Sequence, residues 1–171
     1  FSVTHLPLHG HDPRFPVDNN WHNLVDELIF HLQQQDGPVL GVGHSLGGML
    51  HLHAALRCPH LYKGVVMLDS PVLTLMDQWV IRAAKRFGFI DRLTPAGRTV
   101  GRREEFSDHA AARDYFASKS LFRSFDPDCF EAYLAHGLHP VEDRLRLRFD
   151  PATEINIYRG VPHTSPGSAR S

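Results

Sequence analysis

The chain has 171 residues, 42% of them hydrophobic and 22% charged, with a formal net charge of −1. That is ordinary globular composition with enough chain for one core, and its balance gives no reason to expect nucleic acid or an anionic membrane as partner. No apolar run approaches the roughly 20 residues that span a bilayer, so no membrane span is expected.

Cys58 and Cys129 are too few for a disulfide framework and lie in no CxxC pattern, which points to a reducing compartment and a cytoplasmic location. The 13 histidines are scattered. The chain opens at Phe1 in an extended apolar segment, with no signal-peptide pattern. From Val161 to Ser171 it has turn composition. Both ends suggest a piece of a longer protein.

In chain order, Phe1 to Leu8 reads as the end of a strand, followed by a loop rich in Gly, Pro, His and Asp up to Asn20. Trp21, Leu24, Val25, Leu28, Ile29 and Leu32 recur at helical spacing, which predicts a helix over Trp21–Gln34. Asn19 or Asn20 can cap it, and Asp26 and Glu27 lie near its positive end. Pro38 to Gly43 is a short apolar run without alternation, as expected of a strand covered on both faces. A second helix is expected from Leu46 to about Arg57, and Val65–Leu68 is a further buried strand. This alternation is the rhythm of an α/β fold, a parallel sheet flanked by helices.

After Pro71 the rhythm changes. Leu75, Met76, Trp79, Val80, Ala83, Ala84 and Phe87 predict a helix closed by Gly88, and a basic loop runs from Arg92 to Arg103. Asp126-Pro127 starts another helix that carries Cys129, Phe130, Tyr133 and Leu134 and ends at Gly137. Leu145, Leu147 and Phe149 alternate with arginines as in a half-exposed strand, and Glu154–Tyr158 reads equally as helix or strand. The expected organisation is a core over 1–72, a mainly helical insertion over 73–151 and a return segment over 152–171.

The decisive stretch is Gly43-His44-Ser45-Leu46-Gly47-Gly48, a G-x-S-x-G pattern between a predicted strand and a predicted helix. A turn that tight strains the serine backbone and leaves Oγ exposed. Glycines two residues to either side are expected because a Cβ there would strike the neighbouring strand or helix. The N–H of Leu46 then points to where an oxyanion would form.

This stretch resembles the nucleophile elbow of the α/β-hydrolase superfamily in its lipase and esterase form. Leu8-His-Gly-His11 is similar to the loop after the family's fourth strand. Pro38–Gly43 and Gly64–Leu68 resemble the fifth and sixth strands. The insertion after Pro71 sits where the family places its cap. The resemblance implies a serine nucleophile at Ser45 flanked by His44, an acyl-enzyme intermediate, a small-molecule ester or related acyl substrate, and no cofactor. It leaves open thioesterase, lipase, lactonase, haloperoxidase and acyltransferase chemistry.

The helper groups are harder to place. The family's second oxyanion donor comes from an earlier His-Gly loop. Only one helix and one strand fit between His9-Gly10 and Ser45, so that donor is expected upstream of Phe1. Serine needs a histidine base oriented by a carboxylate. The family order is serine, acid, histidine, usually with the last two beyond the cap. Asp69, at a strand end, is the candidate acid, and His163, the only histidine after the insertion, is the candidate base. Both true partners are expected beyond residue 171, and with them absent the chain is expected to turn over little. His136 and His139 are placed on the cap.

Two other readings stand beside this one. The serine could be structural, in a non-catalytic hydrolase-like fragment or interaction domain. Alternatively His9, His11 and Asp12, with His5 nearby, could hold a metal for a metal-dependent hydrolase. Arg98, Arg102 and Arg103 are candidates for binding an anionic substrate. Trp79, Phe87, Phe122, Phe125 and Phe130 are candidates for an acyl pocket.

Overall fold

A computed structural model describes residues 2–164. Residues 2–6 adopt no regular structure and are largely exposed, so no strand is present there. A strand needs a neighbour for its backbone N–H and C=O groups, and among the described residues none pairs with this segment. Phe1 lies outside the described residues.

Helix α1 spans His22–Leu32 after a short 3-10 turn at Asn19–Trp21. The expected asparagine caps are not used. Asn20 and Trp21 take left-handed conformations (φ 63° and 58°), and Asp18 Oδ1 instead accepts the N–H of Asn23 at 2.9 Å. The side chains of Asn19 and Asn20 accept hydrogen bonds from Lys85 and His163, far along the chain.

Strand β1 (Val39–His44) pairs in parallel with β2 (Tyr62–Leu68), and α2 (Leu46–Arg57) connects them through a 3-10 turn at Pro59–Leu61. The register sets Leu40 against Gly64, Val42 against Val66 and His44 against Leu68. Helix α2 packs on the sheet and α1 packs on α2. Leu24, Val25, Leu28, Ile29, Met49, Leu50 and Ala54 form this core. The expectation that β1 is covered on both faces fails, since Leu40 and Val42 are 60% and 55% exposed, with Val66 and Leu68 beside them also exposed. The lack of alternation in Pro38–Gly43 arises instead because the covered face is built from Gly41 and Gly43, which let α2 approach closely.

Helix α3 (Leu75–Arg86) begins with a capping box. Thr74 accepts the N–H of Asp77, and the Asp77 carboxylate accepts the N–H of Thr74. Ile81 and Ala84 face inward, while Leu75, Met76, Trp79 and Phe87 point outward. Two one-turn helices follow, α4 (Ile90–Leu93), which overlaps the start of the basic loop, and α5 (Ala96–Thr99), which lies within it.

The chain divides into two compact units. Among the described residues, one comprises 2–97 together with 155–164, and the other comprises Arg98–Glu154. The second unit holds β3 (Glu105–Phe106), α6 (His109–Ala117), α7 (Pro127–Gly137), β4 (Leu138–Val141) and β5 (Arg144–Leu147). Its antiparallel sheet has the order β3-β5-β4, packed on an aromatic core that includes Phe106, Phe116, Phe122 and Tyr133. Asp108 and Asp126 cap α6 and α7. The ambiguous stretch 154–158 is helical, inside α8 (Pro151–Arg159).

Candidate functional site

Ser45 stands where β1 ends and α2 begins, with φ 49° and ψ −115°. That combination is sparsely populated for a residue with a Cβ and stores strain. Its N–H donates to the carbonyl of Leu68 at 2.9 Å, tying the turn to the end of β2. A serine at a helix start normally accepts a first-turn N–H with its hydroxyl. Ser45 makes no such bond, is exposed, and has no side-chain partner among the described residues. Leu46 is the first residue of α2, so its N–H belongs to the four that a helix cannot satisfy internally.

Asp69 follows Leu68, which is paired with His44, so Asp69 and Ser45 leave neighbouring parallel strands at the same edge. Asp69 is exposed and also left-handed, φ 44°. Crevices beyond the carboxyl ends of parallel strands are where α/β sheets place their ligands.

The glycines explain how the turn closes. A Cβ on Gly43 would overlap the backbone of Gly47 and Gly48, and one on Gly48 would overlap the Ser70 hydroxyl and approach the Gly43 carbonyl to 2.9 Å. Gly47 meets nothing within 4 Å. The pair that the turn requires is therefore Gly43 and Gly48, and the expected steric need at Gly47 is not found. Ser70 was not singled out by the sequence. Its hydroxyl donates to the Leu68 carbonyl at 3.2 Å and fills the space beside Gly48.

His44 is exposed on the sheet beside the serine. His163 Nδ1 lies 3.3 Å from Lys85 Nζ, and among the described residues no hydrogen bond joins it to Ser45 or Asp69. Arg102 pairs with Glu154, and Arg103 lies over the Phe106 ring and donates to the Glu105 carbonyl. Phe122, Phe125 and Phe130 pack together inside the second unit, whereas Trp79 and Phe87 are exposed on the first.

The His9, His11 and Asp12 loop is occupied with its own fastening. His9 Nε2 bonds the Leu24 carbonyl at 2.8 Å and lies 3.3 Å from Glu27, and His11 Nδ1 bonds the Leu8 carbonyl. Asp12 is forked by Arg14, whose hydrogen bonds hold its carboxyl below the usual range. Among the described residues no three His, Cys, Asp or Glu side chains are grouped to hold a metal. Glu27, 2% exposed, accepts the N–H of Gly10 at 2.9 Å and so pins this loop to α1. Its signal lay in the periodicity, because position 27 shares the apolar face of 24 and 28.

Burial holds the Glu27 carboxyl above its ordinary range, opposed by the Gly10 N–H, and burial holds His9 below its own. The signs are opposite. The Glu27 contribution to stability is present below its ordinary pKa of 4.5 and lost as pH rises through its raised folded value. The His9 contribution is present above 6.5 and lost as pH falls. Glu27→Gln keeps the acceptor for Gly10 and cannot ionise. Thermal melts across this range should show the variant without the loss on the alkaline side. A wild-type profile of the same shape as the variant's would exclude a raised Glu27.

A parallel sheet flanked by helices, with a glycine-hemmed serine at a strand-to-helix turn, defines an α/β protein of hydrolase type. The model of the alpha/beta hydrolase family matches residues 2–164, and the chain belongs to that family. Over 154 residues it is 25% identical to the type I acyl-CoA thioesterase mpaH of Penicillium roqueforti (strain FM164), covering 84% of this chain and 34% of the relative. The Penicillium brevicompactum protein of the same name is 22% identical over 160 residues, 86% of this chain and again 34% of the relative. The chain thus spans about a third of the length of these curated relatives. The crystal structure of E-2-(acetamidomethylene)succinate hydrolase superposes with a TM-score of 0.59 at 24% identity, covering 87% of this chain and 50% of that one. That likeness carries the fold. No helix among the described residues is long and apolar enough to cross a membrane.

Proposed function

We propose that this chain carries the nucleophile segment of a serine hydrolase acting on an ester or thioester through an acyl-enzyme at Ser45. The supporting observation is the hydroxyl of Ser45, held in a strained turn and committed to no cap. Its Oγ would attack the acyl carbonyl and lose its proton to a base as the new C–O bond forms. The Leu46 N–H would receive the developing oxyanion, and expulsion of the alkoxide or thiolate would leave the acyl-serine for water to hydrolyse. Asp69, leaving the neighbouring strand at the same edge, is the proposed acid. His163 is the proposed base; its Nδ1 meets the Lys85 ammonium at 3.3 Å, so the ring would have to leave Lys85 before taking the serine proton. The kinship with acyl-CoA thioesterases favours a thioester among the possible substrates.

A fluorophosphonate probe tests the reading in the natural protein. Covalent labelling mapped to Ser45, absent in Ser45→Ala and weakened in Asp69→Asn, is the expected result. A folded protein that stays unlabelled would leave Ser45 a structural residue, and chelator-sensitive hydrolysis without labelling would favour a metal mechanism.

A further inference from the structure

We propose that Lys85 and His163 form a proton-operated clasp that holds the returning segment 157–163 against the Asn19–Trp21 turn. The clasp is closed while the His163 ring is neutral and opens when that ring takes up a proton. The geometry is complete on the donor side. The Lys85 ammonium has three N–H bonds and meets three acceptors: Asn19 Oδ1 at 2.5 Å, the Val161 carbonyl at 2.6 Å and His163 Nδ1 at 3.3 Å. An ammonium only donates, so His163 Nδ1 presents its lone pair and the ring proton resides on Nε2.

Three more bonds depend on the same approach of the two segments. The N–H of His163 donates to Asn20 Oδ1 at 2.8 Å, the N–H of Asn20 to the Gly160 carbonyl at 2.8 Å, and the indole N–H of Trp21 to the Ile157 carbonyl at 2.8 Å. These bonds fix Asn20 in a left-handed conformation that asparagine tolerates and hold Trp21 in one that its bulky side chain disfavours.

A proton on Nδ1 would set an N–H against the Lys85 ammonium and turn attraction into repulsion. The charges facing the ring are all positive, Lys85 and Arg82 from α3. From the facing turn, Asn19 and Asn20 contribute neutral amides, and Asp18 is engaged with the Asn23 N–H. Among the described residues no carboxylate pairs with Lys85. Consistently, burial with the Lys85 and Arg82 charges holds His163 below its ordinary range, and burial lowers Lys85 to about 8, still charged at neutral pH. The His163 contribution to closure is therefore present above 6.5 and lost as pH falls below it.

Native-state hydrogen exchange in the natural protein reads the clasp directly. After correction for intrinsic rates, protection of the Asn20 and His163 amides should fall roughly threefold or more between about pH 7.5 and about pH 5.5, while amides inside α2 keep theirs. His163→Asn offers Lys85 an amide oxygen that does not titrate and should keep protection at both values. Unchanged wild-type protection, or the same loss in His163→Asn, would overturn the proposal. An NMR titration of the His163 ring gives a reading that needs no variant, since a midpoint at or above the ordinary histidine value also overturns it. Lys85→Gln should raise that midpoint.

Discussion

Gly43→Ala is expected to destabilise the protein by about 3 kcal/mol or more, measured as a lowered urea midpoint, because overpacking against backbone has no cheap relief. The new methyl group would meet the carbonyl carbon and oxygen of Gly47 and the nitrogen of Gly48. Moving them means lifting the first turn of α2 off β1, which would also displace the Leu46 N–H. Gly47→Ala is the control. It points into open space inside a helix, where alanine is preferred to glycine by roughly 0.5–1 kcal/mol. A family pattern that treats the two glycines alike therefore conceals opposite outcomes. Equal midpoints for the two variants would show that the turn is looser than its geometry implies.

Ser45→Gly should stabilise the fold relative to Ser45→Ala by about 1 kcal/mol. Relief of strain at such backbone angles is worth roughly 1–3 kcal/mol, and the larger unfolded-chain entropy of glycine offsets about 0.4–1 kcal/mol of it. Both variants remove the hydroxyl and both should be blind to a fluorophosphonate probe. A stability difference between two equally unreactive proteins separates the conformational cost of residue 45 from its chemistry. If Ser45→Ala is as stable as Ser45→Gly, the backbone at that position is relaxed and the case for an activated serine weakens with it.

The sequence carried the first half of the fold well because local signals there agree with tertiary ones. The stripe from Trp21 to Leu32 and the glycines of 43–48 each have one physical cause. The errors arise where a residue serves a distant partner. Asn19 and Asn20 look like caps but are acceptors for Lys85 and His163, which lie 66 and 143 positions further on. Glu27 looks like a helix-dipole residue but is a buried latch for Gly10. Pro38–Gly43 looks like a doubly covered strand, yet its lack of alternation reflects glycines under α2. The short strands β3 and β4 gave no usable period, since two to four residues are too few to show one. At the candidate site, the serine and its neighbours were legible from residue spacing. The adjacency of Asp69 was not, because it depends on the pairing of His44 with Leu68.

The chain contains two tryptophans, and they live in opposite surroundings: Trp21 is 6% exposed with its indole N–H bonded, and Trp79 is 66% exposed on α3. Their fluorescence is therefore a sum of a blue-shifted, sheltered emitter and a red-shifted, quencher-accessible one. Iodide should silence Trp79 first and leave Trp21 to report the melting of the first unit, so one unlabelled sample carries two optical channels.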